Sequence, residues 1–348
     1  MGKWPLNELA AIYGLKLKYF EPRGHILYME SDSERYALKT STLQPQELTL
    51  EYAVSEHLLR QCFTNIAAIV PTLNNLGYAQ IGAYRYLLSK WIDGHHVDFN
   101  NAAELALATE GVAKFHIAAK GYTEDVFWPK RKLYGVWPQR FSYRLAHIRW
   151  YQRCIQAQGC QDEFDHLFLA YCPKAIIDAV TSIAGLRSQT YYQAAAQERN
   201  AGSICHHDLA HHNIILTQEQ TVALIDFDYC ILDMHLHDLA SLILRCVKLS
   251  NWTLEPAQRI LLSYHTIKHL KCEELKTMFY FLLFPTDFWQ ICWAKYSEQG
   301  LHAPRDLLAK LTRFIGSAEL RASFLDQLEA LCATKFFLPR GTACENRY

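Results

Sequence analysis

Ser203-Ile204-Cys205-His206-His207-Asp208-Leu209-Ala210-His211-His212-Asn213-Ile214-Ile215-Leu216 runs through a polar turn, Thr217 to Thr221, into Val222-Ala223-Leu224-Ile225-Asp226-Phe227-Asp228. Two short apolar runs rich in β-branched residues flank that turn, which predicts a hairpin. The hairpin places Asp208 and Asn213 before its first strand and Asp226 after its second, so all three fall at one end. An Asp, an Asn five residues on and an Asp-Phe pair beyond a hairpin is the arrangement that phosphoryl transfer needs. Asp208 would accept or orient the proton of an attacking hydroxyl. Asn213 and Asp226 would hold magnesium, a hard cation that takes a few protein oxygens and shares phosphate oxygens. Asp and Asn also form turns, and Asp-x-x-x-x-Asn is common by chance. His206, the hairpin and an Asp at the matching end raise the pattern above a turn.

Upstream, Tyr36-Ala37-Leu38-Lys39 reads as a strand with Ala37 and Lys39 on one side and Tyr36 and Leu38 on the other. A small residue beside adenine and an ammonium reaching phosphates is the chemistry of the third strand of a kinase. Downstream, His237-Asp238-Leu239-Ala240 opens an apolar helix, for which Asp238 is expected as the N-cap.

Together, His206-x-Asp208-Leu209-x-x-x-Asn213, Ile225-Asp226-Phe227 and His237-Asp238-Leu239-Ala240 resemble the aminoglycoside phosphotransferase and choline kinase superfamily. Asp226-Phe227-Asp228-Tyr229-Cys230, with Asp228 where most relatives have Gly, is similar to the CotS-type spore coat proteins within it. Tyr36 to Lys39, Lys90-Trp91-Ile92-Asp93-Gly94 and Ala113-Lys114-Phe115-His116 extend the resemblance over nearly the whole chain. It implies a bilobal, protein kinase-like α+β fold: a small antiparallel-sheet lobe over residues 1–91, then a larger, mostly helical lobe over 92–348. It also implies ATP and magnesium, with Lys39 on the phosphates and a Glu from the helix read over 45–61 holding Lys39. Glu51 is the choice for that Glu and Glu56 the alternative. The strand from Tyr84 would end in a hinge whose backbone, from Ser89 through Lys90 and Trp91 to Ile92, meets adenine. The acceptor would be a hydroxyl compound, and spore coat proteins would be partners. Two rival readings are a small-molecule kinase without a coat role and a catalytically idle coat scaffold.

The remaining stretches have more than one reading. Residues 12–40 read as strands, because Leu15, Leu17 and Tyr19 alternate with Lys16 and Lys18. Gly24 is either a plain turn residue or a point of phosphate approach. Asn101 and Glu104 look like a capping box for a helix reaching Lys120 and stopped by Gly121. His116 borders its buried stripe and reads as a hydrogen-bonded core histidine. Residues 128–153 mix Arg and Lys with Trp128, Trp137 and Trp150, which suits either an anionic ligand or an amphipathic helix with cations on its wet face. Asp228 either binds a second ion or faces the cleft. From residue 257 onward the apolar stripes read as helices, with no acidic cluster suited to a polycationic antibiotic.

Composition excludes several classes. With 35 Lys+Arg against 35 Asp+Glu, no overall basic field points to nucleic acid. The 11 cysteines lie singly, without a Cys-x-x-Cys pair, which argues against zinc and for reduced thiols in a cytoplasmic protein that reaches a spore only by assembly. The N-terminus, Met1 to Leu6, has neither an apolar signal core nor the Ser or Thr of a myristoylation signal. The stretch Met278 to Phe284, read as the longest membrane-like one, is too short to span a bilayer, so a soluble protein is expected.

Overall fold

The structure, a computed structural model, describes residues 4–123, 129–298, 301 and 303–333. Met1 to Lys3 and Trp128 of the readings above lie outside the described residues. The chain forms two compact units, residues 1–132 with 199–238 and residues 133–198 with 239–348.

The first unit opens with helix α1 (Leu6–Tyr13), followed by β1 (Tyr19–Arg23), β2 (Ile26–Glu30), β3 (Arg35–Ser41), α2 (Pro45–Arg60), β4 (Ala79–Ile81) and β5 (Tyr84–Lys90). The five strands make one antiparallel sheet in the order β1-β2-β3-β5-β4. Strand pairing begins only at Tyr19, so the expectation of strand from residue 12 is corrected: α1 runs to Tyr13, and Leu15 and Leu17 pack on the core without joining the ladder. Alternation marks burial on one side, and a buried tether satisfies it as well as a strand does.

Side-chain alternation on β3 sets the two faces of the sheet. Tyr36 and Leu38 pack with Leu9 and Tyr13 of α1, Leu27, Met29 and Leu88. On the other face Leu87, the register partner of Lys39, packs with Leu48 of α2 and Ile69. Full burial of a side chain such as Leu38 stabilises by about 1.5–3 kcal/mol, so the direction of Lys39 is fixed by its apolar neighbours.

The same unit continues through β6 (His95–His96) and α3 (Ala102–Ala118), and resumes after a long excursion with β7 (Ile204–Cys205), β8 (Ile214–Leu216), β9 (Val222–Leu224) and β10 (Ile231–Leu232). The expected hairpin is β8–β9, closed by Thr217 N–H on Thr221 O at 2.9 Å. β6 adds to it with His95 opposite Leu216. Gly94 makes that addition possible: its φ is +151°, and a Cβ there would meet Leu216 O at 2.3 Å. Asn101 caps α3, accepting from the amides of Ala103 and Glu104 while Glu104 takes its side-chain N–H at 3.2 Å. At Gly111 α3 comes so close to β9 that a Cβ would lie 2.6 Å from Val222. These pairings draw residues 199–238 into the first unit, so the compact units follow a different line from the lobe boundary expected at residue 91.

The second unit is helical: α4 (Trp137–Gln158), α5 (Glu163–Leu186), most of α6 (Gln189–Asn200) and of α7 (Leu236–Leu249), α8 (Glu255–Ile267), α9 (Cys272–Leu283), α10 (Thr286–Tyr296), α11 (Pro304–Gly316) and α12 (Ala318–Ala333). Its core is aromatic, with Phe168 stacked on Phe288 at 5.5 Å and Tyr171 edge-on to Phe314. Among the described residues α5, not the 278–284 stretch, is the helix long and apolar enough to cross a membrane, with a mean hydropathy of 1.4. It packs on α4, α9 and α11 and carries buried Asp178, whose carboxylate pairs with Lys174 and, at 3.2 Å, with buried Arg321. Arg321 also donates to the carbonyls of Leu282 (3.2 Å) and Leu283 (2.7 Å), so this network is closed. The ten cysteines among the described residues are all free thiols.

Candidate active site

β7 delivers the chain to His206, His207 and Asp208, held from beneath by one carboxylate. Asp238 accepts the amides of His206 (2.6 Å) and His207 (2.8 Å), and its Oδ2 lies 3.1 Å from Nε2 of buried His116. Burial alone would raise its pKa, but His116 and the neighbouring histidines bring it down to about 2. The sequence expectation for Asp238 is corrected here. It lies inside the first turn of α7, and its side chain serves the His206–His207 loop instead of capping its own helix. The expectation for His116 agrees with its hydrogen bond.

Two non-glycine residues at this end of the hairpin have left-handed backbones, His207 (φ +70°) and Asp226 (φ +66°). Such conformations cost about 1–3 kcal/mol each and persist where the surroundings impose them. The Asp238 carboxylate supplies that restraint at His207. The His206 ring spans both segments: Nε2 bonds Ile225 O at 2.9 Å, while Nδ1 accepts the Asp208 amide at 3.3 Å. That pattern requires neutral imidazole with its proton on Nε2, and burial lowers the pKa accordingly. Asn213, also buried, donates its amide to both Asp208 O (3.0 Å) and Asp208 Oδ2 (3.1 Å).

Lys39 reaches the same end from β3. Its ammonium lies 2.9 Å from Asp226 Oδ1 and 3.6 Å from Glu51 Oε1, and it also bonds Asp228. Burial would lower its pKa, but Glu51, Asp228 and Asp226 together raise it above the ordinary lysine value. Of the two helix carboxylates weighed from the sequence, the one beside Lys39 is Glu51; Glu56 lies near Tyr52 instead. Burial pushes the Glu51 carboxyl up to about 8 despite Lys39, and its Oε2 is buried without a hydrogen-bond partner among the described residues. Burial also acts to raise Asp226, but Lys39 outweighs it and holds that carboxyl below its usual range.

Glu51, Asp226 and Asp228 bring one oxygen each within 4.8 Å of one another. The Asn213 amide nitrogen is committed to Asp208, which leaves its carbonyl oxygen as the group to offer a ligand. An oxygen-only donor set with one orphaned buried carboxylate oxygen fits a hard divalent cation such as magnesium.

A cleft of about 560 Å³ joins these groups to the end of β5, with Ala37, Lys39, Glu51, Asn213, Asp226 and Ser89 to Ile92 in its wall. In that last segment the amides of Lys90 and Trp91 already donate to Ala68 O (2.8 Å) and Arg35 O (2.9 Å). The Ile92 amide is left without a partner among the described residues. The Lys90 ammonium pairs with Glu34, and Trp91 packs edge-on to Tyr28. Sequence reasoning missed Arg131: it bonds Glu47 of α2 (2.7 Å) and Cys230 O (3.3 Å), tying the helix that carries Glu51 to the segment after Asp228. Only the basic stretch at 128–153 hinted at it, without a partner.

Residues 7–328 match the family model described as spore coat putative kinase YutH. The CotS-type resemblance read from the motifs agrees with that match. Among solved structures, an aminoglycoside phosphotransferase from Alicyclobacillus acidocaldarius is similar, at 24% identity and a TM-score of 0.81, over 95% of this chain and 98% of that one. A spectinomycin phosphotransferase solved with ADP and spectinomycin has 15% identity and a TM-score of 0.59, over 92% and 97%. An amicoumacin kinase solved in complex with AMP-PNP, calcium and Ami has 15% identity and a TM-score of 0.58, over 94% and 96%. The fold is therefore kinase-like, with an antiparallel sheet first and a mostly helical remainder.

Proposed function

The chain belongs to the spore coat putative kinase YutH family, and from that premise we propose that it transfers a phosphoryl group from ATP, with magnesium, to a hydroxyl acceptor. The observation that carries the reading is Lys39: one ammonium meets Glu51 of α2 and Asp226 beyond the hairpin, at the end where Asp208 and Asn213 also lie. In this reading the Ile92 amide and the carbonyls around Ser89 and Lys90 receive adenine, and Lys39 moves from carboxylates to phosphate oxygens. Asn213 and Asp226 hold the magnesium. When bound, that ion supplies charge neutralisation on the phosphates. Asp208 orients the acceptor, whose oxygen forms a new bond to the γ-phosphorus as the bond to ADP breaks, and the hydroxyl proton passes to the Asp208 carboxylate. Positioning and electrostatics carry the rate. ADP and AMP-PNP in the solved relatives support ATP as the donor.

The test is titration calorimetry with magnesium-ATP, followed by ATP turnover against small alcohols, aminoglycosides and coat extract. Heat of binding together with acceptor-dependent ADP release is expected. A second reading, a catalytically idle coat protein, draws on the Lys39 ammonium being engaged by Asp228 as well as Asp226. Absence of both heat and turnover selects it, and turnover confined to one soluble alcohol selects a small-molecule kinase.

A further inference from the structure

The second unit carries two surfaces of opposite charge that the phosphotransferase reading does not use. The first is a groove of about 800 Å³ between α4 and α5. Its rim holds Arg149, Arg153 and Arg187, all exposed, and among the described residues no carboxylate lines it. Arg187 bonds only the Ser142 hydroxyl (3.1 Å), and neither Arg149 nor Arg153 has an ion-pair partner among the described residues. The floor is apolar and includes the small residues Ala146 and Ala184, which allow another backbone to come close. Three unpaired guanidiniums over an apolar floor hold a field that an anionic partner relieves, and guanidinium suits carboxylate better than ammonium does.

The second surface is the outer face of α12. Glu319, Ser323, Asp326, Ala330 and Ala333 follow helical spacing along one exposed stripe, flanked by exposed Glu329. The helix's one cation, Arg321, is turned inward to Asp178, so the stripe is purely acidic. Its small residues match the groove floor, and its carboxylates match the rim.

We propose that the α4–α5 groove seats α12 of a second copy of the chain. Groove and stripe are different patches of one chain, so copies either pair reciprocally about a two-fold axis or run head to tail, and both raise the mass. The groove residues from Ser142 to Arg153 span about three helical turns, room for the part of the α12 stripe from Glu319 to Ala330 that carries its carboxylates. Duplex nucleic acid suits the contact less well, because it keeps its bases stacked inside and turns phosphates to the apolar floor.

The test is sedimentation velocity on the full chain over a range of concentrations, at about 0.1 M and about 1 M salt, where screening shortens from roughly 10 Å to 3 Å. Mass rising with concentration at low salt and falling back at high salt is expected. Arg149→Glu with Arg153→Glu, and separately Asp326→Lys with Glu329→Lys, should each weaken self-association at least tenfold with an unchanged melting temperature. An equimolar mixture of the two charge-reversed proteins should assemble again, since each groove then meets an α12 of opposite sign. A wild-type chain that stays monomeric at low salt, variants that assemble like wild type, or a mixture that stays monomeric overturns the proposal. Groove variants that lose binding of a polyanion such as RNA yet still self-associate also overturn it.

Discussion

Each unit of the molecule buries a carboxylate against a cation, and the two have been finished differently. In the second unit Asp178 is shared by Lys174 and Arg321, and Arg321 spends its other donors on the carbonyls of Leu282 and Leu283. In the first, three carboxylates crowd one ammonium, Glu51 Oε2 has no partner among the described residues, and Asp226 holds a left-handed backbone. A closed network stabilises the fold and offers nothing to a ligand. An open one leaves charge unbalanced until a further group arrives, the condition under which buried polar groups are costly alone and productive when completed.

The largest effect that could break this contrast is catalytic. Asp208→Asn keeps volume and removes charge, so turnover should fall on the order of 10²–10⁴-fold while melting temperature and ATP affinity change little. Full turnover by the variant would remove Asp208 from catalysis. Next in size is the closed network. Arg321→Met leaves the buried Asp178 carboxylate with half-exposed Lys174 as its cation and should cost on the order of 3 kcal/mol in denaturant unfolding, and adding Asp178→Asn should recover part of that loss. Equal losses in the single and double variants would mean that the ion pair is not the stabilising element.

Completing the open network should be smaller. Magnesium-ATP at 100 times its dissociation constant should stabilise by roughly 2.7 kcal/mol, read as a rise in melting temperature. Asp226→Asn should abolish the magnesium-dependent part of that rise, whereas Arg321→Met should leave the rise intact. Smallest per unit step is the pH response of the ligand-free protein. Glu51, raised to about 8, binds its proton more tightly folded than unfolded. That preference is fully present below the unfolded value near 4.5 and is lost as pH climbs through 8, at no more than about 1.4 kcal/mol per unit. Wild-type melting should therefore fall more steeply than that of Glu51→Gln between those limits, and parallel curves would contradict the raised pKa.

What the sequence made legible was whatever depended on local order. The turn between two apolar runs, the Ala37–Lys39 alternation and the Asn101 cap each follow from neighbours a few residues apart, and each stands in the structure. Choices that depend on how elements are rotated were not legible. Glu51 and Glu56 lie on one helix and differ only in facing, and the apolar residues around them suit either phase. Asp238 precedes an apolar helix as a cap would, yet its carboxylate turns to amides some thirty residues back in the chain, a contact without local signature. The length of α5 was masked by Asp178 and Lys174, whose charges interrupt its apolar run but are neutralised by pairing.

The first unit is built from two stretches of chain, 1–132 and 199–238, and synthesis meets them in that order. When the ribosome has released residue 132, Lys39 and Glu51 can already face each other, but Asp208, Asn213 and Asp226 do not yet exist. At 5–20 residues per second the intervening residues, 133–198, take roughly 3–13 s to emerge. Over that interval β6 waits without β8, and α3 without the Val222 surface to which Gly111 is fitted. The nascent chain thus holds an unfinished sheet edge and a bare helix face for seconds, a window in which a chaperone has a defined surface to grip. Mutations in residues 133–198 that slow translation would lengthen the window without touching the site itself.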